Sequence, residues 1–312
     1  MNRMLVIFGV VILALVAALI VWFVISLRGP ATDALEAKYM TADDRYVSVA
    51  GAQVRVREEG QADAPPVILI HGFTSSLETW DGWAEALSGD FRVIRYDLLG
   101  HGLTGPDPQQ RYAPQERAEF LAELMDSLGI ERASIAGNSL GGTIAWRFAA
   151  TYPDRVEKLI LIDAGIYQFN QVGDEPSEAP AAMKTFLTLA PQAGVISATR
   201  MTYGDPSRLT DERAQEIGDM MRREGNGEAY VAHIGEFTMP DPADMLAQIT
   251  APTLILWGGK DAMITPDQAP RAEQAIPDAS VILYDDLGHV PQEEDAARTA
   301  ADAKTFLTGG AS

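Results

Sequence analysis

The chain contains no cysteine. Disulfides, thiolate metal centres and a cysteine nucleophile are excluded, while the compartment is left open. Histidine is scarce. There are four in 312 residues, His71, His101, His233 and His289, so any histidine-dependent chemistry has four candidates. Their spacing with carboxylates matches no metal-ligand pattern, and no cofactor is implied. Basic residues are few against acidic ones, 24 Lys+Arg to 44 Asp+Glu, for a formal charge of -20. Such a chain repels phosphate backbones, which argues against nucleic-acid partners. Internal repeats and low-complexity tracts are missing as well, so no solenoid or fibrous architecture is indicated.

Long uncharged runs are absent with one exception. "MLVIFGVVILALVAALIVWFVISL" extends from Met4 to Leu27. At about 24 residues it is long enough to span a hydrocarbon core, which needs roughly 20. It is longer than the apolar region of a cleaved signal peptide, and no small-residue cleavage site follows it. It therefore reads as a membrane anchor, residues 1–30, with the rest of the chain facing outward. Arg3 and the terminal amine favour that orientation, whereas Arg28 and Lys38 oppose it. Residues Arg28 to Thr41 read as a tether.

The chain as a whole is 47% hydrophobic and 22% charged, an ordinary globular balance. "YVSVAGAQVRVREEG" alternates about a turn at Gly51 and predicts an antiparallel hairpin. Short continuous apolar runs follow: "PVILI", "FRVIRYD", "ASIAGN", "KLILID", "TLILWG" and "SVILYD". Runs of this kind are typical of parallel strands buried on both faces. Helical stretches lie between them. "ERAEFLAELMDSLG" is one, with Phe120, Leu121, Leu124 and Leu128 on one face. The expectation is an α/β fold, a mostly parallel sheet covered by helices, formed by residues 42–165 and 251–309. Residues 166–250 carry no comparable strand. "APAAMKTFLTLA" and "DERAQEIGDMMRREG" are helix-prone, and the segment reads as a helical cap inserted over the ligand site. "QVGDEPSEAP", polar and proline-bearing, reads as a mobile loop within it.

"AGNSLGGT" surrounds Ser139 with Gly137, Gly141 and Gly142. A predicted strand precedes it and a predicted helix, "LGGTIAWRFAATY", follows. That is the context of the G-x-S-x-G nucleophile elbow, in which glycines permit close strand–helix packing and the serine hydroxyl is raised above the sheet. A serine needs a base. His289, in "DLGHVPQEE" after the last strand, is the candidate; His233 reads as a surface or packing residue. The base needs an acceptor to hold its tautomer. Asp261 in "GGKDAMITP" is preferred, with Asp163 after "KLILID" as the rival. In "LIHGFTSS" the backbone N–H of Phe73, with that of Leu140, would form an oxyanion hole. His71 there reads as a loop-holding residue, and Trp80 and Trp83 as core. "GHGLTG", Gly100 to Gly105, matches G-x-G-x-x-G, but Pro106 and Pro108 follow and no helix can open on a pyrophosphate.

Taken in order, "HGFTSS", "YDLLGHGLTG", "GNSLGG", "WGGKD" and the "GH" before Val290 resemble the α/β-hydrolase superfamily from Tyr46 to the C-terminus. The motifs are similar to those of bacterial carboxylesterases and lipases in the group related to dehalogenases and epoxide hydrolases. Those two relatives carry Asp at the nucleophile position, where this chain has Ser139. The resemblance thus implies a serine carboxylesterase acting on a small-molecule ester, and a helical cap after Asp163. Hydrolases of carbon–carbon bonds in ring-fission products share "GNS" and "GG". This chain lacks their longer glycine-rich oxyanion loop, so that reading ranks second. A non-catalytic small-molecule receptor of the same fold is the third.

Overall fold

Eight runs of apolar and β-branched residues form one sheet. The computed structural model describes residues 29–169 and 172–309. β1 (Asp44–Val49) and β2 (Ala52–Glu59) form an antiparallel hairpin. Its two-residue turn, Ala50-Gly51, has positive φ at both positions (43° and 85°), the geometry that matches strand twist. β3 (Pro66–Ile70), β4 (Arg92–Tyr96), β5 (Ala133–Asn138), β6 (Val156–Ile162), β7 (Thr253–Gly258) and β8 (Ala279–Tyr284) are mutually parallel. The spatial order is β1-β2-β4-β3-β5-β6-β7-β8.

Side chains alternate across the sheet and feed two separate cores. Ile68, Ile70, Ile135 and Leu161 face one side, packed with Phe120, Leu124 and Trp146. Val67, Leu69, Ile160 and Leu256 face the other, packed with Trp80, Trp83 and Leu307. Burial on both faces is why these strands read as unbroken apolar runs. The carboxyl ends of β3, β5, β6, β7 and β8 share one edge, where ligand sites of open parallel sheets lie.

The segment before β1 departs from expectation. Within the predicted tether, α1 (Thr32–Tyr39) packs onto the rest of the chain. Leu35 is buried against Leu103 and Met220. Lys38 and Tyr39 both donate to Asp219, at 2.9 and 2.7 Å. The partners lie far away in sequence, so no local pattern announces the contact. The Met4–Leu27 run expected as a span lies outside the described residues. Among the described residues no helix is long and apolar enough to cross a membrane.

Helices flank the sheet: α2 (Asp81–Leu87), α3 (Pro114–Ser127) and α4 (Leu140–Thr151). Between β6 and β7 the described residues form α5 (Ala181–Leu189), α6 (Gln192–Arg200), α7 (Asp211–Met221), α8 (Asn226–Glu236) and α9 (Ala243–Leu246). The two helix-prone stretches became α5 and α7. α6 was not distinguished, because Gly194 and the β-branched Val195, Ile196 and Thr199 give it low intrinsic propensity. Packing overrides this: Val195 joins Leu187, Ile217, Met221 and Tyr230 in a buried cluster. The chain closes with α10 (Gln268–Ala275), α11 (Pro291–Glu294) and α12 (Ala296–Thr308).

Candidate active site

Ser139 stands between β5 and α4, with φ 53° and ψ -115°. A non-glycine residue in this region is strained and persists only where surroundings over-determine it. Here the Ser139 N–H donates to the Ile162 carbonyl (3.0 Å), and the Ser139 carbonyl accepts from Thr143 and Gly165 N–H groups (3.0 and 3.2 Å). The flanking glycines serve the close approach. A Cβ on Gly137 would lie 2.2 Å from the Gly141 carbonyl oxygen, and one on Gly141 would lie 2.0 Å from that of Ile70.

His289 follows β8. Its Nδ1 is 2.7 Å from Asp261 Oδ2, and both residues are buried. The other Asp261 oxygen accepts the Met263 and Ile264 N–H groups at 2.7 and 3.0 Å. This arrangement assigns the Nδ1 proton to His289 and leaves its Nε2 as the basic nitrogen. Asp163, the rival, is fully buried and accepts the Gly258 N–H at 3.0 Å. Burial, then the neighbouring Asp261 charge, pushes its carboxyl well above the usual range. Asp163, Asp261 and His289 each offer an atom within 4.8 Å of the others. His289 and Asp261 already engage each other, so the cluster reads as a hydrogen-bonded relay and not as an ion site.

Ser139 and His289 open on one cavity of about 330 Å³. Phe73 lines it too, whereas the Leu140 side chain is buried in the core and only its backbone faces the turn. Leu140 opens α4, so its N–H lacks an intrahelical acceptor and is free to meet an anion. Met183, Phe186, Val195, Ala198, Ile217 and Ile234, from the helices inserted between β6 and β7, form an apolar wall.

The other histidines are structural. His71 Nδ1 donates to the Gly72 carbonyl (2.8 Å) and its Nε2 accepts the Leu98 N–H (3.0 Å), which fixes the loop carrying Phe73. Burial pushes the His71 imidazole down to about 4. His233 and His101 stack around Phe73, with ring centroids 5.0 and 5.7 Å away. Burial, then the nearby Arg117 charge, holds both well below the usual histidine range. Trp80 and Trp83 are core. Around "GHGLTG" the Gly100 N–H donates to Gly105 O (2.6 Å) and closes a tight turn, and no helix begins before Pro114.

These imidazoles are neutral in the fold, while the unfolded chain takes up protons below about 6.5. Stability is therefore full above that pH and is lost as pH falls toward the lower folded values. His233→Phe removes one such group while keeping an aromatic ring beside Phe73. Between pH 7 and pH 5 the variant should lose about 2 kcal/mol less unfolding free energy than the parent. Denaturant titrations at the two pH values check this.

Residues 65–296 match the family described as the alpha/beta hydrolase fold. The chain belongs to that family. As a member it is a hydrolase. Lipase 3 of Moraxella sp. (strain TA144) is 28% identical over 260 residues, covering 83% of this chain and 82% of its own. A 2-hydroxy-6-oxononadienedioate/2-hydroxy-6-oxononatrienedioate hydrolase of Paraburkholderia phymatum is 29% identical over 270 residues, covering 82% and 93%. Among solved structures, a membrane phospholipase A described as a bacterial virulence factor is 25% identical, with a TM-score of 0.74 over 99% of each chain.

Some supports of this α/β-hydrolase site were not legible in its motifs. Asn138 Nδ2 donates to the carbonyls of His289 (3.0 Å) and Ile162 (3.2 Å), tying the elbow to the histidine loop. Glu294 accepts the N–H groups of Gly288 (2.6 Å) and Gly204, and the His289 N–H donates to Thr202 O (2.7 Å). Arg213 on α7 makes a two-pronged pair with Glu293, both bonds 2.9 Å. The only local signal was the acidic pair in "VPQEE".

Proposed function

We propose that this hydrolase is a serine carboxylesterase. Ser139 Oγ attacks the ester carbonyl while His289 Nε2 accepts its proton. The N–H groups of Phe73 and Leu140 receive the oxyanion. The His289 imidazolium then protonates the departing alcohol, leaving an acyl group on Ser139. Water attacks that acyl group, His289 again takes the proton and returns it to Ser139, and the carboxylic acid leaves. The observation that carries the reading is a strained Ser139 opening on the same apolar cavity as a histidine held by a buried carboxylate.

Substrate charge separates this from carbon–carbon bond cleavage. A dienedioate substrate, as named for the Paraburkholderia relative, carries two carboxylates. Among the described residues the cavity lining includes no Lys or Arg, and its one carboxylate, Glu293, is already paired with Arg213. Burying a dianion there without a counter-charge is costly. Neutral esters with apolar acyl groups suit the wall, which favours the lipase-like relative. Turnover of p-nitrophenyl esters graded by chain length, beside a dienedioate, tests the choice. Ester cleavage without dienedioate cleavage supports it; the reverse selects the second reading. Tight ligand binding with no turnover of either selects a receptor.

The inserted helices act as the cap of this site. Met4 to Leu27 serves as a single membrane anchor, with the catalytic domain outside, because the run is uncharged and long enough to span. Removal of residues through Gly29 leaves α1 in place. It should release the protein from membranes with unchanged turnover of water-soluble esters. A truncated chain that stays membrane-bound, or that misfolds, refutes the anchor.

A further inference from the structure

Asp163 has no part in the steps above, yet it is built into the site. It directly follows β6 with φ 43°, a non-glycine residue in the left-handed region, as Ser139 is. Its N–H donates to Leu256 O (3.1 Å) and its Oδ1 accepts the Gly258 N–H (3.0 Å), so two bonds to β7 hold it. Its other oxygen, Oδ2, is buried and receives no N–H or O–H donor among the described residues. The charged and titratable groups facing it are Asp261, from the loop after β7, His289 with which Asp261 is paired, and Glu294 on α11. No Lys or Arg stands among them. An ionised carboxylate here would be a buried charge beside other carboxylates, with an oxygen left bare. A protonated carboxyl instead has an O–H to give, and the Asp261 carboxylate, which stands beside it within 4.8 Å, is the acceptor its side chain meets.

We propose that Asp163 is a positioning residue whose carboxyl O–H donates to Asp261 and so fixes that carboxylate beneath His289. The inference rests on the Ser139–His289–Asp261 reading. Its physical consequence is twofold. The hydrogen bond locks the Asp261 carboxylate plane, which the Met263 and Ile264 amides grip only from Oδ1. It also draws charge away from the oxygen facing His289, so the imidazolium is stabilised less than by a free carboxylate. Burial and the Asp261 charge both favour the protonated acid.

Two substitutions and one spectrum test it. Asp163→Asn keeps an N–H donor for Asp261 and an oxygen for Gly258. It should hold kcat/KM within about threefold and leave the acidic limb of the pH–rate profile in place. Asp163→Leu keeps the bulk and removes the donor. It should lower kcat by about 10- to 100-fold with little change in KM, since Asp163 does not line the cavity, and move the acidic limb to higher pH. In the infrared, the parent-minus-Asp163→Asn difference spectrum at neutral pH should show the carbonyl band of a protonated carboxylic acid, since subtraction removes the contribution of Glu216, which burial pushes up to about 7. The proposal is overturned if that band is missing. It is overturned too if Asp163→Asn shifts the acidic limb downward, which would mark Asp163 as an ionised partner of the imidazolium. A Leu variant equal to the parent would also overturn it. Should the Leu variant not fold, the Asn profile and the spectrum decide. Failure of the triad reading is distinct, because parent enzyme would then carry no fluorophosphonate label on Ser139, a result independent of the infrared band.

Discussion

Ser139→Ala should lower kcat/KM for p-nitrophenyl esters by at least about 10⁴-fold, because the attacking Oγ is removed and only binding and oxyanion stabilisation remain. Labelling by a fluorophosphonate probe should vanish with it. The fold should survive. The elbow is held by backbone bonds from Ser139 to Ile162, Thr143 and Gly165, which alanine retains. Near-parental thermal stability, together with lost turnover, separates a chemical role from a structural one. Labelling that persists in the variant would move the nucleophile elsewhere.

Asp261→Asn should cost about 10³- to 10⁴-fold in kcat, for a reason visible in the hydrogen bonds. Oδ1 takes two backbone N–H donors, from Met263 and Ile264. An asparagine must place its oxygen there, so its NH₂ faces His289 Nδ1. That nitrogen then becomes the acceptor, the ring proton moves to Nε2, and the base facing Ser139 is lost. Asp163→Asn should be far milder. Steady-state kinetics of the two variants on one ester give the ranking, and the reverse order would hand the acid role to Asp163.

That ranking also marks where the sequence stopped being informative. Asp163 and Asp261 both follow core strands, and chain order alone left them as rivals. Only the tertiary direction of the side chains places Asp261 Oδ2 on His289 Nδ1. The strands themselves were legible because parallel strands covered on both sides need apolar residues at every position, as in Val67 to Ile70. The elbow was legible because Gly137 and Gly141 sit where a Cβ would meet backbone. α1 was read as tether because its partners, Leu103, Met220 and Asp219, are distant in the chain. Asn138 and Glu294 were missed for the same reason: each bonds to backbone carbonyls or amides of other loops, and backbone partners leave no trace in residue identity.

The proposed esterase mechanism requires an acyl group carried on Ser139. Rapid acid quench during turnover of a p-nitrophenyl ester, followed by peptide mass spectrometry, reads it directly. The peptide containing Ser139 should gain the mass of the acyl group, and the adduct should disappear as substrate is exhausted. Acyl mass on a different residue, or turnover with no adduct and no burst of p-nitrophenol under single-turnover conditions, would contradict it.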